Sequence, residues 1–242
     1  LTLTLTEGVL CIALLGYIYG GQILPLRRPQ QFWQHTRQHL SFGLRGVLTG
    51  VMTEMNTRID VIMLGLVSSD ALVGLYSFAA ILAEGFAQFP IAVRYNVDPR
   101  LGQYFAHDDR AEITTFARRV RRYFWPGMLA LGIAASLAYP VVFLLISDET
   151  GLATSWLVFI LLAAGHVLTA GYSPFNGIIL IGKLPGWQSG LMLLITLSNI
   201  ILNLLLIPPL GLFGAAIATS ISAIIGTIGL VLVARVRLDV KL

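Results

Sequence analysis

The chain has 242 residues, of which 56% are hydrophobic and only 12% charged, with a formal net charge of +4 and a mean hydropathy of +0.80. A soluble domain carries about twice that charged fraction; here too few polar residues exist to cover a soluble core, and the class is a polytopic all-α membrane helix bundle. The single cysteine, Cys11, lies in an apolar run with no disulfide partner and no metal-site spacing, and the positive charge is distributed as a topology signal, not as a nucleic-acid surface.

The opening stretch, LTLTLTEG, starts on Leu1 and has no basic n-region. It reads as an entry part-way into a larger protein, not as a signal peptide. Seven apolar segments then reach the length of about 20 residues that a span requires, with cores at 7–26, 43–67, 71–93, 124–146, 152–172, 187–207 and 211–233. Under strict alternation every basic residue except Arg58 falls on one side. Arg27, Arg28, Arg37 and Arg45 lie around the start of the second span. Arg94, Arg100, Arg110, Arg118, Arg119, Arg121 and Arg122 occupy the long connection after the third. Lys183 follows the fifth, and Arg235, Arg237 and Lys241 follow the seventh. That side is expected to be cytoplasmic, and with it the C-terminus.

Within the long connection, Asp109 followed by Glu112 has the spacing of a capping box. Ile113, Phe116, Ala117 and Val120 recur at helical spacing among Arg118, Arg119, Arg121 and Arg122. This predicts an amphipathic helix lying in the membrane interface, unless the arginines serve topology alone. In the last span Gly214, Ala218, Ser222 and Gly226 recur every four residues, a smooth face for close helix packing. Asn199 and Asn203, four apart in the sixth span, suit interhelical hydrogen bonds, and His166 lacks a second ligand and reads as a packing residue.

The stretch EMNTRID, residues 54–60, places three charges inside the second span. Glu54 and Arg58 are four apart and share a face, in the favourable order. Asp60 lies on the other side, with Thr49, Thr53 and Asn56. A helix polar on two sides is not lipid-facing; it lies inside a bundle or lines a cavity. With a turn near 68–70, Glu84 of the third span comes to the same depth as Glu54, about 20 Å from the outer surface. The two carboxylates are then placed to share a cation, with Arg58 one turn nearer the outside. A structural ion-pair network and a substrate or proton site both fit this pattern, and ionisable residues within spans favour the second.

Two stretches, TRIDVIMLGLVSSDALVGLYSFAAIL (57–82) and LNLLLIPPLGLFGAAIATSIS (202–222), resemble the polysaccharide flippases of the multidrug/oligosaccharidyl-lipid/polysaccharide superfamily. The resemblance rests on Arg58, Ile59 and Asp60; on Gly74, Tyr76 and Ala79; on Leu202, Asn203, Ile207 and Pro208; and on Gly211, Gly214, Ala215 and Ala216. The connection DPRLGQYFAHDDRAEI is similar to the family's link between its eighth and ninth helices.

The resemblance implies two six-helix lobes around a central cavity that work by alternating access in the bacterial cytoplasmic membrane. They would carry a polyprenyl-pyrophosphate-linked oligosaccharide to the outer leaflet. Residues 1–40 would be the last helix of the first lobe and its linker, and 41–242 the second lobe, so the remaining N-terminal helices are expected as a partner. No cofactor or catalytic set is expected beyond proton or sodium coupling, and the chain is read as a transporter, not an enzyme. Candidate substrate or coupling residues are Glu54, Arg58, Asp60 and Glu84, with Arg45 and Arg94 at the cytoplasmic mouth. The first four sum to −2 when ionised, a poor match to a pyrophosphate. A cation-coupled multidrug or small-molecule exporter of the same superfamily is therefore the alternative. A membrane glycosyltransferase or polymerase would need large polar catalytic loops, which the short outer connections do not supply, and the intramembrane charges argue against a non-transporting scaffold.

Overall fold

The computed structural model describes residues 8–14, 16–17, 33, 36–37, 40, 58–146 and 150–242. The chain divides into two compact units, Leu1–Leu48 and Thr49–Leu242. In the first, residues 8–14 and 16–17 are helical and exposed. In the second, the described residues contain helices and turns and no strand. A helical stretch over 58–65 leads through a turn into α1 (Asp70–Ala106), α2 (Arg110–Leu144) and α3 (Leu152–Thr169). A 3-10 turn at Ser173–Phe175 and a short helix α4 (Ile178–Ile181) connect to α5 (Pro185–Leu210) and α6 (Leu212–Arg237). Five of these helices, α1, α2, α3, α5 and α6, are long and apolar enough to cross a membrane. They coincide with the expected spans from 71–93 onward, while the expected spans at 7–26 and 43–67 lie largely outside the described residues.

The expected long connection after the third span is not a connection. α1 continues through Pro90 and Pro99 to Ala106, and α2 begins at Arg110. Each proline removes a backbone donor, but packing offsets the loss. Val97 and Leu101 are buried in a cluster with Ile113, Phe116, Ala117, Phe175, Ile178, Leu230, Leu238 and Val240. At about 1.5 Å per residue, α1 is roughly 55 Å long, well beyond the hydrocarbon thickness of about 30 Å. The two helices therefore run on past the membrane as an antiparallel hairpin that turns at His107–Asp109.

This corrects the expected interfacial helix. The Asp109 side chain does cap the helix, accepting from the Glu112 backbone N–H at 3.1 Å. Yet Ile113, Phe116 and Ala117 are buried against the protein's own residues, and the segment is simply the first turns of α2. The apolar face that suggested a membrane surface meets α1, the α3–α4 connection and the C-terminal residues, where Arg110 also donates to the Leu238 carbonyl at 2.6 Å.

At the other end a second cluster joins Leu64, Tyr76, Ala79, Tyr139, Phe143, Val158, Phe159, Ile207, Leu212 and Ala215. Ser155 of α3 ties three helices together there: it donates to the Leu75 carbonyl at 2.8 Å and pairs with the Tyr139 hydroxyl at 2.5 Å. α5 and α6 are joined by a one-residue turn at Gly211, whose φ of +55° is a conformation that glycine adopts readily. Their contact is as close as the small-residue face predicts. Gly214, Ala218, Ser222 and Gly226 are all buried, and a Cβ on Gly214 would collide with the Leu206 carbonyl of α5.

Candidate functional site

The helical stretch 58–65 and α1 form an antiparallel pair, and the charged residues sort themselves by face. Arg58 pairs with Glu84 of α1, Nη1 to Oε1, at 3.6 Å. The side chains remain 49% and 41% exposed, so the pair lies at the surface of this unit while standing well inside the membrane-spanning length. Glu84 is some 20 Å along α1 by helical rise. A charged pair at that depth does not face hydrocarbon; the fold requires a polar cavity or a polar partner against it. The expected depth match pairs Glu84 with Glu54; among the described residues the partner of Glu84 is Arg58. Glu54 lies outside the described residues, as do Thr49, Thr53 and Asn56.

Asp60, two residues along, leaves the face of Arg58 as the spacing predicts; it faces inward and is only 6% exposed. Its carboxylate accepts from the Tyr76 hydroxyl of α1 and the Val61 backbone N–H at 2.9 Å. The Thr219 hydroxyl of α6 donates to it at 3.3 Å. All of these donors are neutral. A buried carboxylate is tolerated when hydrogen bonds replace its hydration, and three elements converge to supply them.

The polar path continues from Thr219. Ser222 donates to the Thr219 carbonyl at 2.8 Å, and Asn199 of α5 donates to the Ser222 hydroxyl at 3.1 Å. Asn203 in turn donates to Asn199 Oδ1 at 2.6 Å. Asn199 thus makes the interhelical bond expected of it, whereas the bond from Asn203 stays within α5. Asn203 is fully buried, and its Oδ1 has no hydrogen-bond partner among the described residues. An oxygen in that position has acceptor capacity to spare. The path therefore links a carboxylate, three hydroxyls and two amides, one with an open acceptor, across the 58–65 stretch, α1, α5 and α6. Such an oxygen-rich set suits a small hard cation or a proton. His166 packs beside the Phe86 ring, centroids 6.3 Å apart, in keeping with a packing role.

Arg94 stands far from both features, at the basic end of the unit. It donates through Nε to Asp98 at 3.0 Å, one turn on. Asp98 is held tightly: a Cβ on Gly177 would come within 2.7 Å of its Oδ1, so only glycine fits there. Arg45 lies outside the described residues. Of the expected residues, then, the structure joins Arg58 with Glu84, sends Asp60 to a separate buried pocket, and leaves Arg94 near neither. The sequence reading missed Tyr76 and Thr219 as partners of Asp60. Tyr76 is in the Gly74-x-Tyr76 pattern that supported the family resemblance, a signal that was present but had no geometric meaning until the register of α1 was known.

No protein-family model matches the sequence, and no curated protein does. Among solved structures, the lipid II flippase MurJ in its inward closed conformation has a similar fold, with a TM-score of 0.67 and 18% sequence identity. The likeness covers 86% of this chain and 45% of that one, so the chain spans about half the length of that flippase. The described helices thus share a multi-pass membrane fold with part of that protein.

Proposed function

We propose that the chain forms one lobe of a transporter that flips a polyprenyl-pyrophosphate-linked oligosaccharide across the bacterial cytoplasmic membrane, as a step in polysaccharide or lipopolysaccharide assembly. The Arg58–Glu84 pair carries this reading. It is a half-exposed ion pair deep in a flippase-like fold, and it needs a polar cavity in front of it. A second lobe of similar size would close that cavity and supply further cations for the pyrophosphate. Arg58 would contact the phosphate-bearing substrate, and Glu84 would hold Arg58 until substrate arrives. Arg45 and Arg94 would contribute at the cytoplasmic mouth, the side on which the C-terminus would also lie. Asp60, with Thr219, Asn199 and Asn203, would take the coupling cation, a proton or sodium ion.

The test uses the complete two-lobe transporter in proteoliposomes with a fluorescent lipid-linked oligosaccharide, reading its movement between leaflets under imposed proton and sodium gradients. Flipping that depends on Arg58 supports the proposal. Failure to move any lipid-linked glycan, together with efflux of cationic dyes, would establish the alternative, a cation-coupled multidrug exporter. What favours that alternative is the single cation among Arg58, Asp60 and Glu84.

A further inference from the structure

The arginines of α2 do more than supply an orientation signal. Arg118, Arg121 and Arg122 line a cavity of about 450 Å³ with Trp125, Leu168, Gly171 and Tyr172, where α2 meets the end of α3. Positions 118, 121, 122 and 125 form one stripe of the helix. The Arg121 guanidinium stacks over the Tyr172 ring, 4.0 Å from its centroid. Among the described residues, the ion pairs fall elsewhere, and no carboxylate lies within 4.0 Å of these three guanidinium groups. Gly171 is the floor: a Cβ there would sit 3.7 Å from both the Arg121 side chain and the Trp125 ring.

The depth of the cavity is set by the helix. From Tyr123 to Ser147 no residue is charged, and Arg122 to Leu144 rises about 33 Å, close to the hydrocarbon thickness. The arginines therefore stand at headgroup level, with Trp125 and Tyr172 in the aromatic belt. Beyond them the same stripe continues as Leu129, Ile133 and Leu137, all exposed large apolar side chains. A cationic cup joined to an apolar track matches one kind of ligand.

We propose that this cavity binds the phosphate-diester headgroup of an anionic bilayer phospholipid, whose acyl chain lies along Leu129, Ile133 and Leu137. Guanidinium groups bind phosphate oxygens through several hydrogen bonds at once. A free phosphate would use the cup but have no use for the apolar track. The site is separate from Arg58, Glu84 and Asp60, and it does not rest on the transport reading.

The experiment places the 242-residue chain in nanodiscs of phosphatidylcholine with a small fraction of phosphatidylglycerol, and counts retained phosphatidylglycerol by native mass spectrometry. Arg118→Gln/Arg122→Gln should weaken retention about 30-fold, the attraction of two headgroup-level arginines. Arg119→Gln/Arg235→Gln, equal in charge but outside the cavity, should change it less than threefold. Gly171→Leu fills the floor without altering charge and should act like the first double variant. That variant keeps the test decisive if the arginine variant does not fold. Equal loss in the Arg119/Arg235 variant would reduce the effect to general surface charge. Inorganic phosphate or pyrophosphate displacing the lipid at millimolar concentration would make this a free-anion site. Either result overturns the proposal.

Discussion

Arg58 and Asp60 are two residues apart and come to opposite ends. Arg58 is half-exposed and meets Glu84 at 3.6 Å; Asp60 is sealed among the hydroxyls of Tyr76 and Thr219 and a backbone N–H. Helical spacing alone separates their faces, but the environments then assign them different work. A half-exposed pair keeps water within reach, so it can exchange one partner for a substrate group at little cost. A buried carboxylate with neutral partners cannot lose them singly without leaving a polar group unsatisfied. The proposed function asks for rearrangement of the first and for retention of the second unless a cation replaces what is lost.

The contrast breaks most sharply at Gly214. A Cβ there meets the Leu206 backbone, which no rotamer change relieves. Gly214→Leu should force α6 away from α5 and draw Thr219 off Asp60, at a cost of about 3 kcal/mol or more. The Arg58–Glu84 pair, on the 58–65 stretch and α1, should survive. Loss of folded protein in a thermal or proteolytic assay checks the first part. An unchanged melting curve for Gly214→Leu would mean that the α5–α6 contact is looser than the structure has it.

Next in size is Asp60→Ala. It leaves the Tyr76 hydroxyl buried without its acceptor, so stability should fall by about 1–3 kcal/mol. Asp60→Asn keeps the shape and part of the hydrogen bonding and should cost less, while abolishing the dependence of transport on an ion gradient. Measured in a double-mutant cycle with Tyr76→Phe, the two residues should couple by at least about 0.5 kcal/mol. Additive effects would remove Tyr76 from the pocket's account.

Arg58 and Glu84 should give the reverse pattern. Arg58→Gln or Glu84→Gln should change stability by less than about 1 kcal/mol, as expected of a half-exposed pair, yet either should disable transport. The charge-exchanged Arg58→Glu/Glu84→Arg protein should recover stability but not flipping, because the cation has moved to the other helix. Full transport by the exchanged protein would make the pair a packing device.

These residues also mark where the sequence was legible. The lengths of the apolar runs located five helices, and their positions were right because a span must cross about 30 Å of hydrocarbon whatever its neighbours are. The first turns of α2 were legible as a capped helix but were read as an element lying in the interface, and the continuation of α1 to Ala106 was not read, although Val93, Val97 and Leu101 kept a four-residue spacing that a helix would explain. That Asp60 leaves the face of Arg58 was legible from their offset; that its face is the inward one was not. Its partners were not, because pairing across helices depends on register, and nothing local fixes how far Tyr76 or Thr219 travels along the bundle. The same limit applied to Glu84: its place along α1 was readable, while its pairing with Arg58 depended on which side of each helix turned toward the other.

The smallest expected effect separates packing from binding most cleanly. Asn203 is fully buried, with one amide bond to Asn199 and an Oδ1 that nothing in the described residues satisfies. Asn203→Leu is close in volume. It leaves the buried Asn199 Oδ1 without its donor, at a cost of about 1–3 kcal/mol, and it removes an unsatisfied acceptor whose burial costs about the same. The two should largely offset, leaving stability within about 1 kcal/mol of the parent. If the Asp60 pocket only fixes helix packing, transport should be equally unmoved. If the open oxygen serves a coupling cation, Asn203→Leu should raise the sodium or proton concentration needed for half-maximal flipping by tenfold or more while the melting temperature stays put. Titrating both quantities on one preparation decides it: a parallel fall in stability and transport assigns Asn203 to packing, and a shift in ion dependence alone assigns it to the cation.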